Sequence, residues 1–154
     1  MLSGAFPLVQ GILTLIIAAI AVYIAWQQWK TNAMRLRLDT YDRRLRVYQE
    51  IKKILSLALR DGALKLEDLQ QFISGAAEAD FLFGPEIPEY VNEIYKRGLD
   101  LWSAHERRRV PREERPDNYD PKKLADEKNA ALTWLTGELP HAKEKFKKYL
   151  DMSK

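Results

Sequence analysis

The chain has 154 residues, 31% of them charged, with a net charge of +3 and no cysteine. This length accommodates one domain, and the charged fraction points to a body in water rather than to a polytopic membrane protein. The lack of cysteine excludes disulfides, cysteine-ligated metals and thiol catalysis. The only two histidines, His105 and His141, argue against a multi-histidine metal site within one chain.

Charge is segregated along the chain. Residues 30–60 carry a net charge of +6, residues 61–106 carry −7, and residues 107–154 carry +4. Oppositely charged segments attract each other. We therefore expect the acidic segment to pack against the basic helices, and we favour this use of the basic groups over nucleic-acid binding.

The first 29 residues contain no charged side chain. Within them, the 21 residues 6–26 span about 31 Å as a helix, which matches the hydrocarbon core of a bilayer. Eleven of these residues are Leu, Ile, Val or Phe, and together they favour insertion by about 3–7 kcal/mol. The pattern predicts a transmembrane anchor within residues 1–29. A cleaved signal peptide is disfavoured, because the basic residues follow the apolar run.

The residues that flank the apolar run predict its orientation. Basic groups follow it at Lys30, Arg35 and Arg37, and basic flanks stay on the cytoplasmic side of a membrane. The carboxyl-terminal domain is therefore expected in the cytoplasm, with the amino terminus outside. An aromatic belt belongs at the same level, and three aromatic residues occupy it: Tyr23, Trp26 and Trp29. These six residues form the predicted membrane interface, with lipid as the partner.

Small and weakly polar residues recur inside the apolar run at alternating spacings of three and four. They are Gly11, Thr14, Ala18, Ala21 and Ala25. Membrane helices associate through such stripes because their backbones can approach closely. The stripe predicts a homo-oligomerisation seam. The alternative is that small residues are simply common in membrane helices.

An uninterrupted helical pattern follows the anchor. Neither Gly nor Pro occurs between Thr31 and Arg60, and apolar residues keep a three/four period through Met34, Leu38, Tyr41 and Leu45. This predicts a stalk helix over about 30–60, with Gly62 as a left-handed stop. A break near residues 30–32 is the alternative.

Three further helices are expected, at about 67–79, at 88–109 and from Pro121 onward. An apolar connection with two prolines covers 81–88, and a polar loop covers 110–120. Asp120 and Pro121 are typical of an N-cap and a first helical position. Gly137 and Pro140 are expected to kink or end that helix before a short last one. The predicted fold is all-α: one transmembrane helix continues into the stalk and a four- to five-helix cytoplasmic domain, residues 30–154.

No catalytic, cofactor-binding or metal-ligating motif is present in the sequence. It contains no paired-histidine zinc motif, no nucleophile elbow and no glycine-rich phosphate loop. Four carboxylates between residues 78 and 89 are interpreted as a solvated acidic surface, and His105 as a structural helix residue. The run Phe81-Leu82-Phe83 has two interpretations, a plug in the core or an exposed docking patch, and we favour the core.

Two stretches, WQQWKTN before YDRRLRVYQEI (41–51) and EADFLFGPEIPEYVNEIYKRGLDL (78–101), carry a resemblance. They resemble a recurrent group of small bacterial proteins with an N-terminal membrane anchor, a basic stalk and a helical cytoplasmic domain. The resemblance covers roughly residues 20–105. It implies a bacterial inner-membrane location and supplies no active site.

The function favoured by these patterns is a membrane-anchored, non-enzymatic helical module that self-associates and binds a protein partner at the cytoplasmic face. The alternative is an oligomeric pore or membrane-perturbing effector of a bacterial conflict system, with Gln10, Thr14 and Gln28 lining a channel. A stripe of mostly Ala and Gly suits tight packing better than a water-filled lumen. A membrane-tethered enzyme is the third interpretation, and it requires Asp80, Glu86 and His105 around one cavity.

Overall fold

The computed structural model describes the backbone of residues 5–151 and the side chains of residues 10–151. Every regular element in that range is helical: α1 (Ala5–Asp61), α2 (Leu66–Gly75), α3 (Ala79–Leu82), α4 (Glu86–Arg109), a 3₁₀ turn (Arg112–Glu114) and α5 (Pro121–Lys147). The all-α prediction is therefore confirmed for the described residues. The chain divides into two compact units, Met1–Asp39 and Thr40–Lys154, and α1 supplies residues to both.

The carboxyl end of α1 lies where the sequence predicts it. The helix ends at Asp61, and Gly62 follows with φ +60° while its N–H donates to the carbonyl of Ala58 at 3.0 Å. Glycine adopts this left-handed conformation without a Cβ clash, so it closes the helix cleanly. The helical period predicted for this segment continues into the core, where Leu55 and Ala58 are fully buried. Met34, nearer the anchor, is 67% exposed, and Val47, Ile51 and Ile54 complete the buried face.

The second predicted helix, 67–79, is wrong at its carboxyl end. Helix α2 stops at Gly75, a turn follows, and α3 covers Ala79–Leu82, which overlaps the end of the predicted helix and the start of the predicted connection. The turn places both Ala76 and Ala79 in the buried core. An added Cβ at Gly75 would lie 2.7 Å from Cγ of Glu50 on α1, so a larger residue there would have to displace that side chain.

Helix α5 corrects a second prediction, because Pro140 lies inside it and no separate last helix forms among the described residues. Proline removes one backbone hydrogen bond from a helix interior. Leu135 before it and Phe146 after it are both fully buried in the same core, and this packing keeps the two halves helical. The amino end is as predicted: one Asp120 carboxylate oxygen accepts from the N–H groups of Lys122 and Lys123 at 2.9 and 3.1 Å.

The core of the second unit is apolar. Its buried residues come from α1 beyond residue 46 and from every later α-helix, and no polar or charged side chain among the described residues is buried. Helix α4 packs along α5 and against α2. The α2–α4 approach is close at Gly98, where an added Cβ would lie 2.4 Å from Cδ2 of the fully buried Leu69.

Gly98→Ala is expected to destabilise the protein by about 1–3 kcal/mol, because Leu69 is enclosed and cannot turn away from the new methyl group. Gly137→Ala is the matched control. Gly137 is an exposed glycine within α5, and an added Cβ there meets no atom within 4 Å. That substitution is expected to stabilise by roughly 0.5–1 kcal/mol, since alanine favours a helix interior. Urea unfolding measures both, and equal effects of the two substitutions would contradict the packing described.

Candidate membrane segment and interaction surfaces

Within the part of the chain that the structure describes, one helix, α1, is long and apolar enough to cross a membrane, and none of its most apolar stretch is buried. Large side chains point outward over most of its circumference, and Leu15 and Val22 are 71% and 70% exposed. A helix that is apolar all round requires a cover from outside itself.

The five predicted seam residues all lie on this uncovered helix. An added Cβ at Gly11 meets no atom within 4 Å, so the surface there is open. Thr14 is internally satisfied, because its hydroxyl donates to the carbonyl of Gln10 at 2.9 Å. Ala18, Ala21 and Ala25 are exposed. The seam stays a prediction, since it concerns contacts between copies of the chain.

The six predicted interface residues are also exposed on α1, and three of them contact one another or a polar neighbour. The Tyr23 and Trp26 rings lie 6.5 Å apart, and the ammonium of Lys30 lies 5.7 Å from the Trp26 ring centroid. Gln27 donates its amide to the Tyr23 hydroxyl at 3.0 Å. Aromatic groups are thus followed directly by basic groups over one short stretch, as they are where helices leave a bilayer. Arg35 and Arg37 lie five and seven residues after Lys30.

In the second unit, an aromatic and ionic cluster ties the end of the chain to α1. Arg44 donates to the carbonyls of Leu82 at 3.1 Å and of Tyr149 at 3.4 Å. Its guanidinium also lies over the rings of Phe83 and Tyr149, at 5.9 and 5.5 Å from their centroids. Phe83 meets both Phe146 and Tyr149 edge-on. We call the five residues Arg44, Phe83, Glu86, Phe146 and Tyr149 the Arg44 cluster.

Glu86 completes the Arg44 cluster. The Tyr149 hydroxyl donates to its carboxylate at 2.6 Å and accepts from the N–H of Gly84 at 3.0 Å, and the ammonium of Lys148 pairs with the same carboxylate. The bond from Lys148, followed by that from Tyr149, lowers the pKa of Glu86 to about 2. Part of the predicted acidic surface therefore forms an ion pair with the basic end of the chain. A second carboxylate of that surface, Glu78, pairs with Arg43 of α1 at 3.9 Å.

Each of the two interpretations of the run Phe81-Leu82-Phe83, a core plug and an exposed docking patch, holds for part of it. Phe83 and Leu82 are half-buried and pack against the core, as we favoured. Phe81 is 89% exposed on the short helix α3. The neighbouring acidic residue, Asp80, is exposed as well. One side chain of the run is therefore available to a partner while the other two anchor its backbone.

The structure gives no contact that joins Asp80, Glu86 and His105, the three residues that an enzyme would need around one cavity. Glu86 is engaged by Lys148 and Tyr149, Asp80 is exposed, and His105 is half-buried on α4. His141 lies 3.5 Å from Glu138 on the surface of α5. Between residues 10 and 151, no group of three or more His, Asp or Glu side chains is arranged to hold a metal ion.

Comparison of this chain with protein families, curated proteins and solved structures gives no match. The arguments about function therefore rest on the residues described above.

Glu86→Gln is expected to reduce the sensitivity of the fold to acid. Because the folded-state pKa of Glu86 is lowered, its contribution to stability is present above its unfolded pKa and is lost as the pH falls toward about 2. The wild-type urea midpoint should therefore drop more between about pH 6 and pH 3 than that of the variant. Glu144→Gln, which removes an exposed carboxylate from α5, should keep the wild-type drop. Equal drops in all three proteins would show that the Lys148–Glu86 pair does not stabilise the fold.

Proposed function

We propose that this protein is a single-pass, membrane-anchored helical module whose second unit lies in the cytoplasm, where it binds a protein partner. The observation that carries the proposal is the apolar stretch of α1, none of which is buried among the described residues. The charge-free run is about as long as a bilayer core is thick. The basic residues that follow it support a cytoplasmic second unit, and the resemblance to small bacterial proteins supports a bacterial inner membrane.

The partner surface is assigned to α3. Phe81 is the most exposed large apolar side chain of the second unit, and its backbone is held by Leu82 and Phe83 in the core. An aromatic side chain on a fixed backbone loses little conformational entropy when it is buried, which suits a binding anchor. This surface supports an adaptor role, because Phe81 belongs to the second unit while the anchor uses the first.

The anchor and its orientation are tested together in bacterial cells. Full-length protein is expected to stay with the membrane after alkaline carbonate extraction, because the apolar run inserts with a favourable free energy. A reporter fused after Lys154 should be active only if it is a cytoplasmic reporter. Arg35→Glu with Arg37→Glu, which inverts the basic flank, should reduce that orientation bias. Extraction of the wild type by carbonate, or activity of a periplasmic reporter at the carboxyl end, would overturn the anchor or its orientation respectively.

Self-association through the seam is tested on the protein in nanodiscs by native mass spectrometry. Ala18→Leu with Ala21→Leu should shift the wild-type assembly toward monomer, since the larger side chains keep two backbones apart. Val22→Leu with Ile24→Leu is the control, because both residues are already large and lie on the same helix. If the seam variant forms an assembly with the same number of chains as the wild type, the seam does not mediate self-association. A closed wild-type assembly of six or more chains would favour the pore over the adaptor.

A further inference from the structure

A shallow groove of about 340 Å³ runs along α1 between two rows of side chains spaced four residues apart. One row runs from Tyr23 to Arg35, and the other runs from Ile24 to Asn32. All of these residues belong to the first unit. Their side chains change character along the groove, from aromatic and aliphatic at Tyr23 and Ile24 through amides and a hydroxyl to the guanidinium of Arg35. We call this surface the 23–35 groove.

Polar groups in the middle of the 23–35 groove are partly engaged with one another. Gln27 donates to the Tyr23 hydroxyl at 3.0 Å, and Thr31 donates to the carbonyl of Gln27 at 2.9 Å. These bonds hold the first row in place. The amides of Gln28 and Asn32 and the guanidinium of Arg35 line the groove and are exposed. The groove therefore offers donors at its basic end and an apolar wall at the other.

The groove begins inside the predicted span of residues 6–26 and extends beyond it, so it crosses from the hydrocarbon core into the headgroup region. Twelve residues separate its two ends, a rise of about 18 Å along a helix. Side chains on a helix lean toward its amino terminus, so Arg35 leans back along the groove and toward the apolar run. Long basic side chains commonly reach back in this way to the phosphate level of a membrane. A guanidinium pairs with phosphate through two parallel hydrogen bonds.

We propose that the 23–35 groove binds an anionic phospholipid, with the headgroup phosphate on Arg35 and Asn32 and the upper acyl chain along Tyr23 and Ile24. This inference rests on the proposed membrane anchor. The occupant follows from the charge and from the order of the groove: a molecule that is apolar at one end and anionic at the other matches it along its whole length. The groove selects a negatively charged headgroup, because its basic end carries a cation with no carboxylate among the residues that line it.

Arg37 provides a control that separates groove binding from general attraction to an anionic surface. It lies two residues after Arg35, at nearly the same depth, but about 200° away around the helix. It is exposed and does not line the groove. Removing either arginine lowers the net charge by one. A diffuse electrostatic effect therefore treats the two substitutions alike, while a lipid seated in the groove distinguishes them.

The experiment measures which lipids full-length protein retains from bilayers of equal phosphatidylcholine and phosphatidylglycerol, by native mass spectrometry. The wild type is expected to retain phosphatidylglycerol preferentially. Arg35→Gln should reduce that preference by more than about tenfold, because it removes hydrogen bonds to a charged phosphate as well as one positive charge. Arg37→Gln should reduce it by no more than about fivefold, the effect of one basic group near an anionic surface.

Equal losses in the two variants, or no preference for phosphatidylglycerol in the wild type, would overturn the groove as a lipid site. Failure of the anchor has a different signature. The protein would then not enter bilayers of phosphatidylcholine alone, which lack any anionic headgroup. Entry into those bilayers without a preference in the mixed ones removes the lipid site and leaves the anchor in place.

Discussion

Burial of one face of α1 is the constraint on which the second unit depends. From Val47 to Ala58, this face supplies five fully buried side chains, and the core that forms over it contains residues from every later α-helix. Contact with α1 also decides local geometry elsewhere. The Glu50 side chain lies close to Gly75, where α2 ends, and an added Cβ there would lie 2.7 Å from its Cγ. A change in the tilt of α1 against α2 would therefore alter both the core and the turn that precedes α3.

The Arg44 cluster adds a second constraint at the other end of the same face. Arg44 donates to two carbonyls from distant parts of the chain, that of Leu82 at the end of α3 and that of Tyr149 after α5. Because a hydrogen bond is directional, the guanidinium holds the 82–86 turn close to the residues that follow α5. Phe83 packs against the same guanidinium, and Phe81 two residues earlier is exposed. The candidate docking residue is thus positioned by packing that lies behind it.

Local signals in the sequence were sufficient for the helix ends that depend on one residue's own chemistry. Gly62 closes α1 and Asp120 caps α5 as predicted, because a left-handed glycine and an N-cap carboxylate act within a few residues. The errors share a different cause. Pro140 is tolerated because Leu135 and Phe146 pack in a core shared with the other helices, and the turn after Gly75 places Ala76 and Ala79 in the same core. Both features depend on packing between segments that are distant in the chain, which periodicity does not report.

The candidate sites divide in the same way, between features of consecutive residues and contacts between distant ones. The apolar run and its basic flank were found from composition alone, since hydropathy and charge are properties of consecutive residues. Contacts of the Arg44 cluster join residues 38 and 105 positions apart, so no sequence pattern predicted them. The 23–35 groove was also missed, although its residues are close in sequence. Its signal is the change from apolar to amide to basic along rows spaced by four, and a search for small residues passes over these larger polar side chains.

The two kinds of exposed apolar surface in this chain call for different covers. Phe81 is a single side chain on a backbone fixed by its neighbours, and a pocket in a folded partner is enough to cover it. Residues 12–17 include five large aliphatic side chains, and a helix distributes consecutive positions around its whole circumference. A partner that docks on one face leaves the remaining faces in water. A bilayer covers every face at once, which is why the distribution of the apolar residues, more than their number, favours lipid as the cover for α1.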